Sequence, residues 1–418
     1  MDHFHYHNGE LHAEDVPLAR IAQQVGTPVY VYSRATLERH AQVFREGLSE
    51  LPSVHLAFAV KSNPNLAVLK VLKEQGFGAD VVSEGEMRRA LAAGIPAADI
   101  VFSGVGKTRR ELAAALEARI GQFNLESEEE GEELAALAAE RGVTAPCALR
   151  VNPDVEAGTH AKISTGKAEN KFGVPYDRAA EMFDRLARLP GMNLRGLAVH
   201  IGSQLQSLEP LEAAFTRMGA LMEAIRAEGH HITHMDLGGG VGVPYREGEQ
   251  FPSPADYGAM VARICKDWNV TLMFEPGRVI TGNSGVLVTE VIRVKQGVTA
   301  PFVVVDAAMN DLARPAMYDA WHDFAAVRPT NESFTASVVG PICESSDVFA
   351  KDRDVDAVKA GDLAVFRTAG AYGATMANTY NSRPLVPEVL VSGDRFAVVA
   401  DRIDPAAILA AERVPDWL

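Results

Sequence analysis

Lys61 stands at the end of the apolar run His55-Leu56-Ala57-Phe58-Ala59-Val60 and is followed at once by Ser62-Asn63-Pro64. Consecutive apolar, β-prone residues closed by a turn signal read as a buried strand. An ammonium is costly to bury without a partner. A desolvated lysine holds its proton less tightly and becomes an amine nucleophile, suited to forming a Schiff base with a carbonyl group. The alternative is a lysine whose stem lies along the strand end while its charge reaches water.

Other residues of chemical interest close similar runs. Glu275-Pro276-Gly277-Arg278 offers a carboxylate that can hydrogen-bond a heterocyclic nitrogen and keep it protonated, and a planar guanidinium fork for a carboxylate or phosphate. It also reads as a helix-starting turn with a surface arginine. The glycines of Gly238-Gly239-Gly240-Val241-Gly242 allow positive φ and let backbone N–H groups approach an oxyanion. His200 could stack a flat imidazole on a ring or be a satisfied core histidine. Cys343-Glu344 could supply a proton donor or hold an inert buried thiol. Gly104-Val105-Gly106-Lys107-Thr108 imitates the end of a Walker A loop, but Val101 stands where that loop needs glycine, so we read no nucleotide site there. His3, His5 and His7 alternate with Phe4 and Tyr6; this spacing suits a metal, but the polar face of an edge strand is the favoured reading.

The elements that must position these groups follow a rhythm. Strand-like runs at Leu56–Val60, Ala79–Ser83, Ile100–Ser103, Gln122–Leu125, Ala148–Asn152, Leu197–Ile201, His234–Leu237 and Leu272–Phe274 alternate with stretches of helical spacing such as Glu84–Ala93, Arg109–Ala118, Glu128–Arg141 and Leu211–Ala227. The strand runs are apolar on both faces, as parallel strands covered by helices should be. Eight such units predict a (β/α)8 TIM-like barrel over residues 30–280. Such barrels gather their active sites at the C-terminal strand ends, and the loops after strands seven and eight commonly bind phosphate. Lys61, Ser83–Glu86, Arg150, His200–Ser203, the triple glycine and Glu275–Arg278 all fall at such ends. From residue 281 to 418 the texture becomes Val-rich with little helix, as at Gly285–Val294, Phe302–Asp306 and Leu363–Phe366. These runs predict a second, mostly antiparallel β-sandwich or barrel domain, joined by residues 1–29, with the first barrel inserted into it.

Composition sets the outer limits. The chain has 418 residues, 47% of them hydrophobic, enough for two domains with a large core. A formal net charge of −15 argues against nucleic acid and anionic membrane surfaces as partners. An anionic substrate therefore needs its own local arginines. Three widely spaced cysteines, Cys147, Cys265 and Cys343, give neither a disulfide framework nor a zinc knuckle, which fits the cytoplasm. Met1-Asp2-His3-Phe4 lacks the basic and apolar regions of a signal peptide, and no apolar stretch is long enough to span a bilayer.

Taken together, Phe58–Asn63, Asp80–Glu86, His200–Gln204, the triple glycine, Glu275–Arg278, Gly340–Ser345 and Ala369-Gly370-Ala371-Tyr372-Gly373 resemble, nearly end to end, the fold-type III decarboxylases that use pyridoxal 5'-phosphate, relatives of ornithine decarboxylase and alanine racemase. Within that group the chain is similar to the diaminopimelate decarboxylases. Three stretches carry this: Asp306–Pro315 running on to Tyr318, Cys343-Glu344 where ornithine decarboxylases have Cys-Asp, and Ile163-Ser164-Thr165-Gly166 with Asn170-Lys171-Phe172-Gly173.

The resemblance implies roles. Lys61 would form the Schiff base with the cofactor, His200 would stack on its ring and Glu275 would pair with its ring nitrogen. Gly239, Gly240 and Gly277 would hold its phosphate, with Asp80, Ser203, Arg278 and Tyr372 completing the cofactor's surroundings. Arg278, Arg314 and Tyr318 would grip the substrate's distal carboxylate, Glu344 its distal ammonium, and Tyr372 would touch substrate as well. Cys343 would protonate the carbanion. A homodimer with shared active sites is implied, as is turnover of meso-2,6-diaminopimelate to L-lysine and CO2, the last step of bacterial lysine synthesis. The chain departs from the family at Ser346, Val241 and Ala308, where Gly, Leu and Gly are usual; none removes a reactive group. The rival readings are a decarboxylase of carboxynorspermidine, ornithine or arginine, a racemase, and a non-catalytic regulatory homologue.

Overall fold

The computed structural model describes residues 2–156, 165–166 and 170–418. Ile163 and Ser164 of the expected loop lie outside the described residues. By chain contacts the molecule divides into two compact units: Arg39–Val243 with Gln250–Ile280, and Met1–Glu38 with Pro244–Glu249 and Thr281–Leu418.

The first unit is the expected barrel. Its strands are Val54–Ala59, Gly78–Val81, Ile100–Phe102, Gln122–Leu125, Ala145–Asn152, Met192–Ala198, His234–Asp236 and Thr271–Phe274. Each pairs in parallel with the next, and the last closes on the first, Leu272 opposite Val54. Closure leaves no free strand edge. Helices begin where a hydroxyl can accept an orphan N–H. Ser83 and Ser127 cap Glu84–Ala92 and Glu128–Arg141, and Thr108 and Ser253 form capping boxes with Glu111 and Asp256.

Strand ends differ from the sequence reading in an instructive way. The first strand stops at Ala59, and Val60–Ser62 form a 3₁₀ turn in which Ser62 Oγ donates to the Ala59 carbonyl at 2.8 Å. Asn65 then caps helix Leu66–Glu74. Lys61 thus sits on a turn locked at both ends rather than on the strand itself. The sixth strand stops at Ala198, so His200 lies beyond it. Ser83 belongs to a helix cap rather than to the second strand.

The second unit is a largely antiparallel sheet ordered Val348–Asp356, Ser333–Val339, Phe302–Val305, Gly285–Lys295, Val29–Ser33, Glu388–Ser392, Arg395–Ala400. Val29–Ser33 lies antiparallel to Gly285–Val288 and parallel to Glu388–Val391, so an N-terminal strand is built into the sheet's centre. Phe4, Leu11, Ile21, Val31, Val286 and Val389 share one buried cluster there. At the N-terminus, strand Phe4–His7 buries Phe4 and exposes His5, Tyr6 and His7. No helix among the described residues is long and apolar enough to cross a membrane.

Candidate active site

At the C-terminal strand ends the barrel unit holds a cavity of about 380 Å³ whose wall includes Lys61, Ser103, Asn124, Arg150, His200 and Glu275. Lys61 Nζ donates to Asp80 Oδ2 at 2.8 Å; the Asp80 side chain is fully buried, whereas that of Lys61 is about one-third open. Neither alternative read from the sequence describes this lysine fully. Its ammonium faces the cavity, paired with a carboxylate from the second strand. Asp80 Oδ1 is buried and meets no donor among the described residues.

Across the cavity, Glu275 and Asp236 form a hydrogen-bonded pair of buried carboxyls. Burial, followed by the charges of Asp236 and Asp80, pushes Glu275 well above the usual carboxylate range, and burial raises Asp236 as well. Two like charges this close in a low-dielectric site cannot both ionise readily, so the pair retains a proton. Asn124 Nδ2 donates to Asp236 Oδ2 at 2.8 Å and to Glu275 Oε1 at 3.4 Å; Ser103 Oγ donates to Glu275 Oε1 at 3.3 Å. The Gly238 N–H donates to Asp236 Oδ1 at 2.9 Å, which ties the glycine loop to the same network.

His200 Nδ1 accepts the Gly239 N–H at 3.3 Å, which leaves its proton on Nε2. Burial, then the charges of Arg150 and Lys61, hold this imidazole well below the ordinary histidine pKa, so it is neutral. The glycines answer a demand that the sequence did not reveal. A Cβ on Gly239 would lie 2.3 Å from the Glu275 carbonyl oxygen, and one on Gly240 (φ +116°) would lie 2.8 Å from that of Gly202. Close packing of neighbouring strand ends therefore requires them before any ligand does. Gly277 packs against the Lys61 turn, its would-be Cβ 3.1 Å from Ala59 Cβ and 3.2 Å from Ser62 Cβ. Arg278 is buried, with Nε and Nη2 each 3.4 Å from Ser203 Oγ.

Pyridoxal phosphate, implied above, fits this donor set. The barrel supplies an amine, a flat neutral imidazole, a protonated acid pair, a guanidinium beside a glycine loop, and a buried carboxylate oxygen lacking a protein partner. The Walker-like stretch does something else. Lys107 donates to the carbonyls of Gly104 and Asn124 at 2.8 Å each and to Glu130 Oε1 at 2.6 Å, while Thr108 caps a helix.

The remaining expected residues belong to the other unit. Arg314 and Tyr318 lie on the short helix Arg314–Tyr318, with Arg314 buried. Cys343 is the exposed member of the three free cysteines, which removes the inert-thiol reading. Burial pushes the Cys265 thiol up to about 12 and Cys147 higher still. Glu344 is exposed, and hydrogen bonds from Ser346 and Tyr380 lower its pKa. Tyr372 holds a left-handed backbone (φ +55°), a conformation costly for a bulky residue and found mostly where function demands it.

Asn124, Ser103 and Asp236 were not singled out from the sequence. Their only signal was a polar residue in or just after a short strand run. Glu126 was also missed: it accepts Arg150 Nη1 at 2.6 Å, the Gly104 N–H at 3.0 Å and the Gly173 N–H at 2.8 Å, fastening three segments at the barrel mouth.

Comparison with known proteins agrees with this geometry. Residues 34–282 match the family model described as pyridoxal-dependent decarboxylase, pyridoxal binding domain. The chain is 50% identical over 418 residues to the diaminopimelate decarboxylase of Zymomonas mobilis and 48% identical over 417 residues to that of Vibrio cholerae, covering 99% of each chain in both cases. It also superposes on the crystal structure of diaminopimelate decarboxylase from M. jannaschii in co-complex with L-lysine, with a TM-score of 0.96 at 34% identity, covering 100% of this chain and 99% of that one.

Proposed function

The chain belongs to the diaminopimelate decarboxylase family, and on that premise we propose that it converts meso-2,6-diaminopimelate to L-lysine and CO2 with pyridoxal phosphate as cofactor. The observation that carries this reading is the pairing, in one cavity, of the Lys61 amine with a carboxyl pair at Glu275 and Asp236 that retains a proton. When bound, the cofactor supplies the electron sink for the bond pair left as CO2 departs.

The barrel unit, Arg39–Val243 with Gln250–Ile280 rather than the whole of residues 30–280, holds the cofactor; the β unit, which also takes in 30–38 and 244–249, carries most substrate-binding groups. Lys61 holds the cofactor's aldehyde end, with Asp80 as counter-charge. His200 would stack on the cofactor's ring, and being neutral it would add no charge there. Glu275, sharing its proton with Asp236, keeps the ring nitrogen protonated. Gly239, Gly240, Gly277, Ser203 and Arg278 take the phosphate, and Tyr372 touches both cofactor and substrate. Arg278, Arg314 and Tyr318 bind the distal carboxylate and Glu344 the distal ammonium. A site with that many polar groups rejects analogues that leave them unpaired, by up to roughly 10⁴–10⁵-fold. Cys343, which is exposed, would deliver the proton to the carbon that lost its carboxylate.

The working species is a homodimer in which Cys343 and Glu344 serve the partner's site. It acts in the cytoplasm, where three free thiols persist. The test is product analysis after incubating the protein and pyridoxal phosphate with a panel of diamino acids. Lysine and CO2 from meso-diaminopimelate alone are expected. Faster release of CO2 and the corresponding amine from ornithine, arginine or carboxynorspermidine would replace the substrate assignment.

A further inference from the structure

Arg314 is oriented by a histidine whose two ring nitrogens are both assigned by their partners. His322 is fully buried, and its Nδ1 lies 2.9 Å from the Arg367 carbonyl oxygen. A carbonyl can only accept, so Nδ1 carries the hydrogen. His322 Nε2 lies 2.9 Å from Arg314 Nη1. A guanidinium can only donate, so Nε2 presents its lone pair. The ring is therefore the neutral Nδ1–H form. A protonated ring would turn an N–H and a positive charge toward Arg314.

The surroundings hold that ring still. Tyr245 packs edge-on against His322, with ring centroids 5.4 Å apart at 88°, and also lies beneath the Arg314 guanidinium, 4.6 Å from its ring centroid. Arg353 Nη1 donates to the His322 carbonyl at 3.0 Å. The preceding Trp321 lies between two guanidiniums, Arg246 at 4.0 Å and Arg353 at 3.3 Å from its ring centroid. These contacts bear on both the main chain and the imidazole at 322.

We propose that His322 is the positioning residue for Arg314, fixing the guanidinium in the orientation that binds the substrate's distal carboxylate. This rests on the role assigned to Arg314 above. One good orientation of a planar fork makes two charge-assisted hydrogen bonds to a carboxylate, whereas a guanidinium free to rotate loses part of that interaction. The cost should appear in substrate binding and not in the chemical step.

The experiment uses the full-length holoenzyme with three substitutions. His322→Gln places an amide oxygen near the Nε2 position and keeps an acceptor for Arg314. His322→Asn keeps a donor near the Nδ1 position, toward Arg367, but lacks the acceptor. His322→Leu removes both. KM for diaminopimelate is expected to rise about tenfold or more in the Asn and Leu variants, with kcat within about threefold of wild type, and to recover in the Gln variant. In parallel, ¹⁵N-histidine NMR of the wild type, assigned by the signal missing in the Gln variant, should show a neutral Nδ1–H imidazole. An Nε2–H or charged ring, equal KM in all three variants, or a fall in kcat matching the rise in KM would overturn the proposal. The NMR reading stands even where the Leu variant fails to fold. Arg314→Ala separates the two claims. If it leaves KM unchanged, the role of Arg314 fails; if it raises KM while the His322 variants are silent, only the positioning role fails.

Discussion

In the barrel unit, buried ionisable groups at the strand ends are compensated by one another: Lys61 by Asp80, Arg150 by Glu126, Glu275 by a proton held in common with Asp236. In the β unit, two guanidiniums lie against uncharged groups, Arg314 against the His322 imidazole and the Tyr245 ring and Arg353 against two backbone carbonyls and Trp321, while Arg383 pairs with Asp311 and Arg328 with Glu10. The first arrangement suits a site whose groups exchange partners during a reaction, since each charge already has one to give up. The contacts of Arg314 suit recognition, since an imidazole and an aromatic ring fix the plane of its guanidinium. On the proposed roles the barrel unit carries most of the chemistry and the β unit most of the selection, and substitutions should separate the two.

The largest effect is expected at Lys61. Lys61→Ala should abolish the visible absorbance of bound pyridoxal phosphate and lower turnover by roughly 10³-fold or more. An unchanged spectrum would remove the barrel lysine from the chemistry. Next comes Cys343→Ala, which tests whether the β unit also contributes to the reaction itself. Turnover should slow by about 10²-fold or more while the cofactor spectrum stays normal; full activity would return Cys343 to the surface. Arg314→Ala should act through substrate, lowering kcat/KM by about 10²-fold, mostly in KM. A loss confined to kcat would contradict the division between the units.

The smallest effect concerns stability, and its sign differs between the units. In the β unit, burial raises the Asp311 carboxyl to about 6. Its folded pKa exceeds its unfolded one, so its stabilisation is present below about pH 4 and is lost as pH rises through about 6, amounting to at most ~3 kcal/mol. In the barrel unit, burial, then the charges of Arg195 and His55, push His234 down to about 4. That group stabilises above its unfolded pKa and its contribution is lost as pH falls toward 4. Urea unfolding of wild type and Asp311→Asn between pH 4 and 7 checks the first half: the wild-type advantage should grow as pH falls. A difference that does not vary with pH would show that Asp311 titrates as it does in the unfolded chain.

Much of the barrel was legible because its signals are local. Alternating strand and helix runs depend on neighbours a few residues away; the caps Ser83, Thr108 and Ser127 emerged only in the structure. The fold class followed from that alternation, and the cofactor from the resemblance that the strand-end motifs carry. Strand ends were legible only to within a few residues: Val60 and His200 continue apolar runs, but backbone pairing stops before them. The β unit was less legible, since Val29–Ser33 finds its partners some 250 and 350 residues away.

By itself the sequence determined which reactive types exist and, in the barrel, on which element each lies: a lysine at the end of the first strand, glycines after the seventh, a glutamate after the eighth. It could not determine what those groups face. Asp236 and Glu275 share a proton, Asn124 bridges them, Asp80 pairs with Lys61, and His322 takes one tautomer, all because distant strands and loops bring them within hydrogen-bond reach. Charge and tautomer respond to distance in a low-dielectric interior, where interactions that water would screen become decisive. Position along the chain carries no such information, and only the tertiary structure supplies it.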